Sequence, residues 1–191
     1  MKPIDTKLVP GFIAAMPQLD DPNFKRAVVL LLRLNEEGAL GLVINRPSAM
    51  SVYELCESQG IPCHVDRREP VMVGGPCEAE SHLLVLHGDR PLHPEQHPDE
   101  IVVAPGIRLV TARDGLGQLA ERPAARLRCY LGYAGWGPGQ LEDELTEGTW
   151  VPLPVDQALI FEEPAQNIWD AALRMGGIDP ITLIQPSGDV N

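Results

Sequence analysis

The sequence is poor in several features that mark particular protein classes. Its 191 residues include only four cysteines, and aromatic residues make up 5%. The cysteines lack CxxC spacing, which favours free thiols over a disulfide framework or a zinc site. No apolar run approaches the roughly 20 residues that cross a bilayer, and the amino terminus lacks the apolar core of a signal peptide. We therefore expect a cytoplasmic protein with no membrane anchor and no metal.

Positive charge is also scarce. Fifteen lysines and arginines face 27 acidic residues, which gives a net charge of −12. Residues 140–191 contain ten acidic residues and one basic residue. Nucleic acids and anionic membranes are bound through clustered lysine and arginine. Direct binding to DNA, RNA or a membrane is therefore disfavoured.

The chain has the length and composition of one ordinary folded domain. Hydrophobic residues make up 44% and charged residues 22%, as in soluble globular proteins. The predicted strands come in hairpin-like groups rather than in strict alternation with helices, which favours an α+β fold. We expect one compact domain over residues 1–191, with a mixed, largely antiparallel sheet, flanking helices and a frayed end at residues 186–191.

The clearest local pattern is a hairpin. Two hydrophobic runs, Ala27–Leu34 and Ala39–Asn45, are separated by a short loop that ends in Gly38. Both runs are continuously hydrophobic instead of alternating, which predicts strands that are covered on both faces. The hairpin should therefore lie in the core.

The second hairpin strand should end at Pro47, which has no amide donor. Asn45 and Arg46 then lie at a strand end, where functional residues are common. Two interpretations of Arg46 stay open: it binds an anionic ligand, or it pairs with a carboxylate of its own chain.

Other elements follow from apolar runs and capping signals. Further strands are predicted over Gly11–Met16, Pro70–Pro76, His82–His87, Ile101–Ala104, Ile107–Thr111, Arg126–Leu131, Trp150–Leu153 and Ala158–Phe161. Helices are predicted after the capping box at Ser51, near Asp114, from Pro138 and after Pro164.

A glycine-rich turn over residues 135–139 separates the strand at Arg126–Leu131 from the helix that starts at Pro138. Helix starts attract anions through free amides and the helix dipole. Glu142, Asp143 and Glu144 would repel an added anion there. An uncharged small molecule or a protein partner is therefore favoured.

Together these features predict a binding surface made of a strand end and two glycine turns. The candidate residues are Asn45, Arg46, Gly74, Gly75, Gly135, Trp136, Gly137, Gly139 and Gln140. The glycines would let a partner reach the backbone, and an exposed Trp136 would anchor it. Alternatively, the glycines serve turn geometry and Trp136 fills the core.

Evidence for an enzyme is weaker. His82 and His87 are candidate bases and Cys129 is a candidate thiol, but no GxSxG elbow or other nucleophile signature is present. Residues 115–120 match GxGxxA after a strand, but the match lies past mid-chain, follows two extra polar residues and has no acidic residue at a strand end about 20 positions later, so a dinucleotide site is disfavoured. We assign no catalytic residue, no metal ligand and no cofactor.

Four segments resemble the AlgH/YqgE family of bacterial proteins. They are AMPQLDDPNFKRAVVLLL, NEEGALGLVINRP, VMVGGP with the later VLHG, and CYLGYAGWGPGQLEDEL. The resemblance covers Gly11 to Asp179 and implies a compact α+β fold around a mixed, barrel-like sheet in a cytosolic protein. It carries no catalytic residue to this chain. Some members are labelled transcriptional regulators, linked to control of alginate production.

Three functional hypotheses follow. The favoured one is a non-catalytic binding or regulatory module that acts through a protein or small-molecule partner. The second is a transcriptional regulator that acts indirectly, since neither the acidic helix after Pro138 nor the one after Pro164 suits a DNA groove. The third is a hydrolase.

Overall fold

The computed structural model describes residues 8–78, 82–88, 91–93, 95, 97–111, 113–122 and 126–184. The predicted fraying of residues 186–191 lies outside this set. The strands of the described chain are β1 (Gly11–Ala15), β2 (Val28–Asn35), β3 (Gly38–Val43), β4 (Pro47–Ser51), β5 (Pro70–Val73), β6 (Leu83–His87), β7 (Ile101–Ala104), β8 (Ile107–Val110), β9 (Leu127–Leu131), β10 (Ala134–Trp136) and β11 (Trp150–Leu153). The helices are α1 (Val52–Ser58), α2 (Arg113–Ala120), α3 (Gln140–Thr146), α4 (Gln157–Phe161), α5 (Ile168–Met175) and α6 (Pro180–Ile184).

The strands form two sheets. The five-stranded sheet has the order β10-β3-β2-β1-β11 and is antiparallel throughout. The six-stranded sheet has the order β4-β5-β9-β6-β8-β7, and only its β5–β9 pair is parallel. The α+β class and the mixed, largely antiparallel pairing are confirmed.

The family resemblance implied a barrel-like sheet. This expectation is wrong, because both sheets are open. The five-stranded sheet ends at β10 and β11, and the six-stranded sheet ends at β4 and β7. A closed barrel buries one face of its strands in its interior. Here the central strands bury both faces, so each sheet is covered by a second layer on each side instead of curling upon itself.

Strands β1 and β2 show this two-sided burial directly. Phe12 and Leu30 belong to the central apolar cluster, whereas Ile13 and Val29 belong to a separate cluster on the other face. All four side chains are at most 1% exposed. The prediction that the hairpin is covered on both faces is confirmed.

Three apolar clusters build the interior. The central cluster combines residues of both sheets with Trp169 and Leu173 of α5. The second cluster joins one face of the six-stranded sheet to α1 and α2. The third joins the outer face of the five-stranded sheet to Leu141 of α3. The order is therefore helix, sheet, central core, sheet, helices.

Several local predictions are confirmed by their hydrogen bonds and burial. The Ser51 hydroxyl accepts from the Glu54 amide at 3.1 Å, and the Glu54 carboxylate accepts from the Ser51 amide at 2.8 Å, which completes the capping box of α1. In α5 the predicted apolar face is buried. Gly38, the first residue of β3, has φ of +119°, and a Cβ atom there would collide with the carbonyl of Trp136.

Three local predictions are wrong. Strand β3 stops at Val43, two residues before the predicted end, and Pro47 starts a further edge strand, β4, since a proline is tolerated at the first residue of an edge strand. Gly135 and Trp136 lie in β10, where pairing with β3 supplies hydrogen bonds that the local sequence does not signal. Residues 158–161 are helical in α4, because Asp156 caps the Ala158 amide at 2.8 Å.

The described residues contain no helix that is both long and apolar enough to cross a bilayer.

A glycine in the hairpin tests how closely the central strands pack. An alanine Cβ at Gly41 would lie 2.6 Å from Val29 Cγ1 and 2.8 Å from the Leu30 carbonyl oxygen. We expect Gly41→Ala to lower the free energy of unfolding by roughly 1–3 kcal/mol, as overpacked core positions do. Urea denaturation measures this change.

The matched control is Gly117→Ala in α2. Among the described residues outside α2, only Ile61 Cγ2, at 3.9 Å, would contact the new methyl group. Alanine has the higher helix propensity, so this variant should be at least as stable as the wild type. A Gly41→Ala protein as stable as Gly117→Ala would contradict the packing described for the hairpin.

Candidate functional site

Trp136 is part of the core. Its side chain is 6% exposed. The ring stacks on Phe24 with centroids 5.8 Å apart and meets Trp150 edge to face at 5.9 Å. The question that the sequence left open is therefore decided: Trp136 fills the interior and is not an exposed anchor.

Glu144 holds the two tryptophans together. Its Oε2 atom accepts hydrogen bonds from Trp136 Nε1 at 3.0 Å and from Trp150 Nε1 at 2.7 Å. Its Oε1 atom accepts from Gln140 Nε2 at 2.9 Å. One carboxylate thus satisfies two partly buried indole donors and fastens α3 to strands β10 and β11.

The glycine-rich stretch is a joint between β10 and α3. Gly139 precedes the helix with φ of +76°, and a Cβ atom at this position would meet no heavy atom of a non-adjacent described residue within 4 Å. The Gln140 side chain accepts from the Gly137 amide at 3.0 Å. The helix therefore begins at Gln140 and not at the predicted Pro138. Gly135, Gly137 and Gly139 serve the turn and strand geometry of this joint.

Gly74 and Gly75 lie where the chain leaves β5. A Cβ atom at Gly74 would collide with the carbonyl oxygen of Gly132, and one at Gly75 would collide with the backbone of Tyr133. Gly75 also has φ of +152°. Both positions require glycine because two segments of the same chain approach each other here.

Asn45 is buried and extends the pairing of the hairpin beyond Val43. Its Oδ1 atom accepts from the Val28 amide at 2.9 Å, and its Nδ2 atom donates to the Arg26 carbonyl at 2.8 Å. The carbonyl and the NH2 group of the Asn45 side chain are therefore both hydrogen-bonded. Asn45 positions the chain, and the residue that it presents to solvent is Arg46.

Arg46 is half-buried at the junction of the two sheets. Its carbonyl accepts from the Val73 amide at 2.7 Å, and its guanidinium donates to the carbonyl of Lys25. Among the described residues Arg46 has no carboxylate partner. Burial lowers the pKa of the guanidinium from its ordinary value, as desolvation of a cation does when no anion offsets it.

A cleft of about 300 Å³ opens beside Arg46. We call it the junction cleft, because its lining residue Val43 joins the two sheets through a hydrogen bond of 2.8 Å from its amide to the Gly74 carbonyl. Its lining consists of Pro22, Asn23, Val43, Arg46, Pro47, Val73, Gly75 and Pro76. Proline and valine supply most of the wall, and Arg46 is the one charged side chain in this lining.

Nearby acidic residues are occupied by other groups. Asp20 lies 2.6 Å from Lys25 Nζ in an exposed ion pair. The Asp21 carboxylate accepts from the Asn23 amide at 2.8 Å. Both acids therefore serve the turn that precedes β2, while the guanidinium of Arg46 keeps its charge in the cleft.

The structure thus divides the predicted surface. Arg46 and Gly75 line the junction cleft, and Asn45 and Gly74 support it from behind. Residues 135–140 do not line the cleft. They belong to the joint at α3.

The candidate catalytic residues are tied into other contacts. His82 Nδ1 lies 3.3 Å from Glu78, and the fully buried His87 has its Nε2 atom 2.9 Å from Glu100. Cys129 is buried, and burial raises the pKa of its thiol. In the part of the chain that is described, no group of three or more His, Cys, Asp or Glu side chains could hold a metal ion.

Sequence reasoning missed the ion pair between Glu69 and Arg128. Arg128 Nη1 lies 2.6 Å from Glu69 Oε1, and both side chains line two clefts of about 260 and 220 Å³. Burial raises the pKa of Glu69 and outweighs the opposing effect of Arg128. The partners are 59 positions apart, so no local spacing signalled the pair.

The Glu144 contact generates a stability prediction. Glu144→Ala would leave two partly buried indole N–H groups without their acceptor, at roughly 1–3 kcal/mol for each. We expect a clear loss in the free energy of unfolding by urea, together with a changed tryptophan fluorescence of the folded protein. Asp143→Ala, an exposed position on the same helix, is the control and should change little. Equal stability of the two variants would contradict this role of Glu144.

Cysteine accessibility generates a second prediction. Cys56 and Cys129 are buried, whereas Cys63 and Cys77 are partly exposed. The thiolate is the reactive form, and raised pKa values keep Cys56 and Cys129 protonated. With iodoacetamide at pH 8, peptide mapping should find Cys63 and Cys77 modified first and Cys129 only after denaturation. Rapid native modification of Cys129 would contradict its inert packing.

Comparisons with known proteins agree with this architecture. The family model described as AlgH-like matches residues 12–181. The chain is 43% identical over 182 residues to a UPF0301 protein of Myxococcus xanthus, covering 95% of this chain and 97% of that protein. It is 36% identical over 190 residues to a UPF0301 protein of Anaeromyxobacter dehalogenans, covering 95% and 94%.

Solved structures extend the comparison. The solution structure of the AlgH protein from Pseudomonas aeruginosa superposes with a TM-score of 0.73 at 32% identity, over 98% of both chains. A crystal structure of a Corynebacterium diphtheriae protein gives a TM-score of 0.69 over 94% and 88% of the two chains, and at 21% identity it shows the fold alone. The chain belongs to the AlgH-like family, as its sequence segments indicated.

Proposed function

We propose that this protein is a non-catalytic, cytoplasmic binding module that takes a carboxylate group of a small molecule or protein partner into the junction cleft. The observation that carries the proposal is Arg46, a half-buried guanidinium without a carboxylate partner among the described residues. The sequence left open whether Arg46 pairs within the chain or binds an anion. The contacts of Arg46 favour the anion.

The donor count of Arg46 supports this choice. A guanidinium has five N–H donors in a planar fork. The bond to the Lys25 carbonyl occupies one side-chain nitrogen, so further donors are available to an acceptor in the cleft. A carboxylate can accept two of them in parallel, and such charge-assisted pairs are among the stronger hydrogen bonds.

The walls of the cleft limit the rest of the ligand. Pro22, Pro47 and Pro76 present rigid apolar rings without amide donors, and Val43 and Val73 add methyl groups. A volume of about 300 Å³ is at the lower end of ligand pockets. The cleft therefore suits a short aliphatic acid or a single acidic side chain of a protein, with the carboxylate on Arg46 and the aliphatic part against the walls.

The expectation of an uncharged ligand came from a different part of the chain. It rested on the acidic residues that follow the start of α3. Glu144 is bound to two tryptophans there, and no residue of α3 lines the junction cleft. The repulsion argued for α3 does not apply at Arg46. A regulatory role of the protein would then operate through the bound partner, without contact to DNA.

Two matched probes test the proposal. Butyrate and the neutral butyramide have similar size and shape, and only butyrate carries the carboxylate. In titrations followed by backbone amide chemical shifts, we expect butyrate to shift amides around Val43, Val73 and Gly75. Butyramide should cause much smaller changes at equal concentration and ionic strength.

Two arginine variants distinguish binding at Arg46 from a non-specific effect of positive charge on butyrate. Arg46→Gln should weaken butyrate binding by roughly 10-fold or more, the effect of losing a charge-assisted hydrogen bond of about 1.5–3 kcal/mol. Arg33→Gln removes an exposed arginine of β2 and should leave binding unchanged. The amide spectrum of each variant reports whether it is folded.

A third variant keeps the test decisive if Arg46→Gln folds poorly. Val73→Asp places a carboxylate on an exposed lining residue, so it should pair with Arg46 and block butyrate. Equal shifts with butyrate and butyramide, or wild-type butyrate binding in Val73→Asp and folded Arg46→Gln, would overturn the proposal.

A further inference from the structure

Two thiols lie together on the side of the six-stranded sheet that α1 covers. Cys56 is on the buried face of α1, and Cys63 is on the loop that follows this helix. The loop turns back at Gly60, which has φ of +67°, and the Ile61 amide donates to the Cys56 carbonyl at 2.9 Å. Cys63 consequently packs against the same apolar cluster that contains Cys56.

The two thiols influence each other directly. Burial raises the pKa of Cys56 to about 12, and the charge interaction and the side-chain hydrogen bonding with Cys63 add to this shift. Cys129 on β9 belongs to the same cluster and, like Cys56, is 0% exposed. Cys63 is the partly exposed thiol beside this cluster.

Access from solvent differs between the two. A cleft of about 330 Å³ lies beside the loop and is lined by Tyr53, Glu57, Gly60, Ile61, Pro62 and Cys63. Cys56 does not line it and is 0% exposed. A small oxidant in this cleft meets Cys63 first. Cys56 is then the neighbouring thiol that an oxidised Cys63 meets.

We propose that Cys56 and Cys63 form a reversible disulfide, in which Cys63 reacts with a small peroxide and Cys56 resolves the product. This thiol pair is a modification site separate from the junction cleft, and it does not depend on the function proposed for Arg46.

The chemistry balances with hydrogen peroxide as the oxidant. The Cys63 thiolate attacks one peroxide oxygen, the O–O bond breaks, and the departing hydroxide takes up the former thiol proton as water. Cys63 is now a sulfenic acid. The Cys56 sulfur attacks the Cys63 sulfur, the S–O bond breaks, and the departing hydroxide takes the Cys56 proton as a second water. Two thiols are oxidised by two electrons and one peroxide is reduced.

The order of the two steps follows from the environment of each sulfur. Reaction with peroxide requires a thiolate that the oxidant can reach. Cys56 is enclosed and stays protonated, so it does not start the reaction. Once Cys63 carries a hydroxyl on sulfur, the adjacent Cys56 needs no access from solvent. Cys56 loses its proton to the departing hydroxide as the S–S bond forms.

Peptide mapping of the full-length chain tests the pair. The folded protein is treated with hydrogen peroxide, remaining thiols are blocked with N-ethylmaleimide, and the chain is digested after glutamate without reduction. Cleavage at Glu57 lies between the two cysteines. We expect the peptides of Cys56 and Cys63 to appear linked, with the loss of two hydrogen atoms, and to separate after dithiothreitol.

Serine variants assign the roles. Cys77→Ser, the control at the other partly exposed cysteine, should form the linked peptides at the wild-type rate. Cys56→Ser should leave Cys63 as a sulfenic acid that dimedone traps. Cys63→Ser should slow oxidation of Cys56 by at least roughly 10-fold, since a buried protonated thiol is a poor nucleophile.

Three results would overturn the proposal. The first is linkage of Cys63 to Cys77 or to a second chain instead of Cys56. The second is oxidation of wild-type Cys63 to sulfinic acid without any linked peptide. The third is unchanged oxidation of Cys56 in Cys63→Ser.

Discussion

Burial of both faces of the β2–β3 hairpin is the constraint on which the other parts of the structure depend. Its continuous apolar sequence cannot leave one face in water without exposing large hydrophobic side chains. One face packs against the six-stranded sheet and α5, and the other packs against α3 and the tryptophans. Helices α1 and α2 then cover the other side of the six-stranded sheet.

The junction cleft is a consequence of that arrangement. The two sheets meet where the Val43 amide bonds to the Gly74 carbonyl, just past the end of the buried hairpin strand. Asn45 closes the hairpin with its side-chain amide. Arg46 is the first residue after the buried stretch 41–45 that is partly exposed to solvent. Its charged side chain therefore lies at the edge of the core, beside the apolar residues that line the cleft.

The glycine-rich motif that identifies the family has a structural role in this chain. The tryptophan in it is buried, and the glutamate eight positions later holds its indole nitrogen and that of Trp150. A motif of this kind is specific because its side-chain contacts are interdependent. It identifies the fold, and the sites proposed for Arg46 and for the Cys56–Cys63 pair lie elsewhere.

Much of the secondary structure was predictable because its signals are local. The hairpin, the capping box at Ser51 and the apolar face of α5 depend on residues a few positions apart. The errors have the opposite character. Strand β10 exists because β3 pairs with it, and residues 158–161 form a helix because Asp156 caps it and Leu159 and Ile160 are buried. A short apolar run does not distinguish strand from helix by itself.

The sequence by itself determined the α+β class, the two-sided burial of the hairpin, the net acidic charge and the family. Only the tertiary structure decided that Trp136 is core, that Arg46 faces a cleft without a carboxylate beside it among the described residues, and that Cys56 and Cys63 are neighbours. The reason is that burial, ion pairing and thiol contact depend on segments far apart in the chain. Composition and periodicity predict which residues are buried, but they do not predict which distant residues will be in contact in the core.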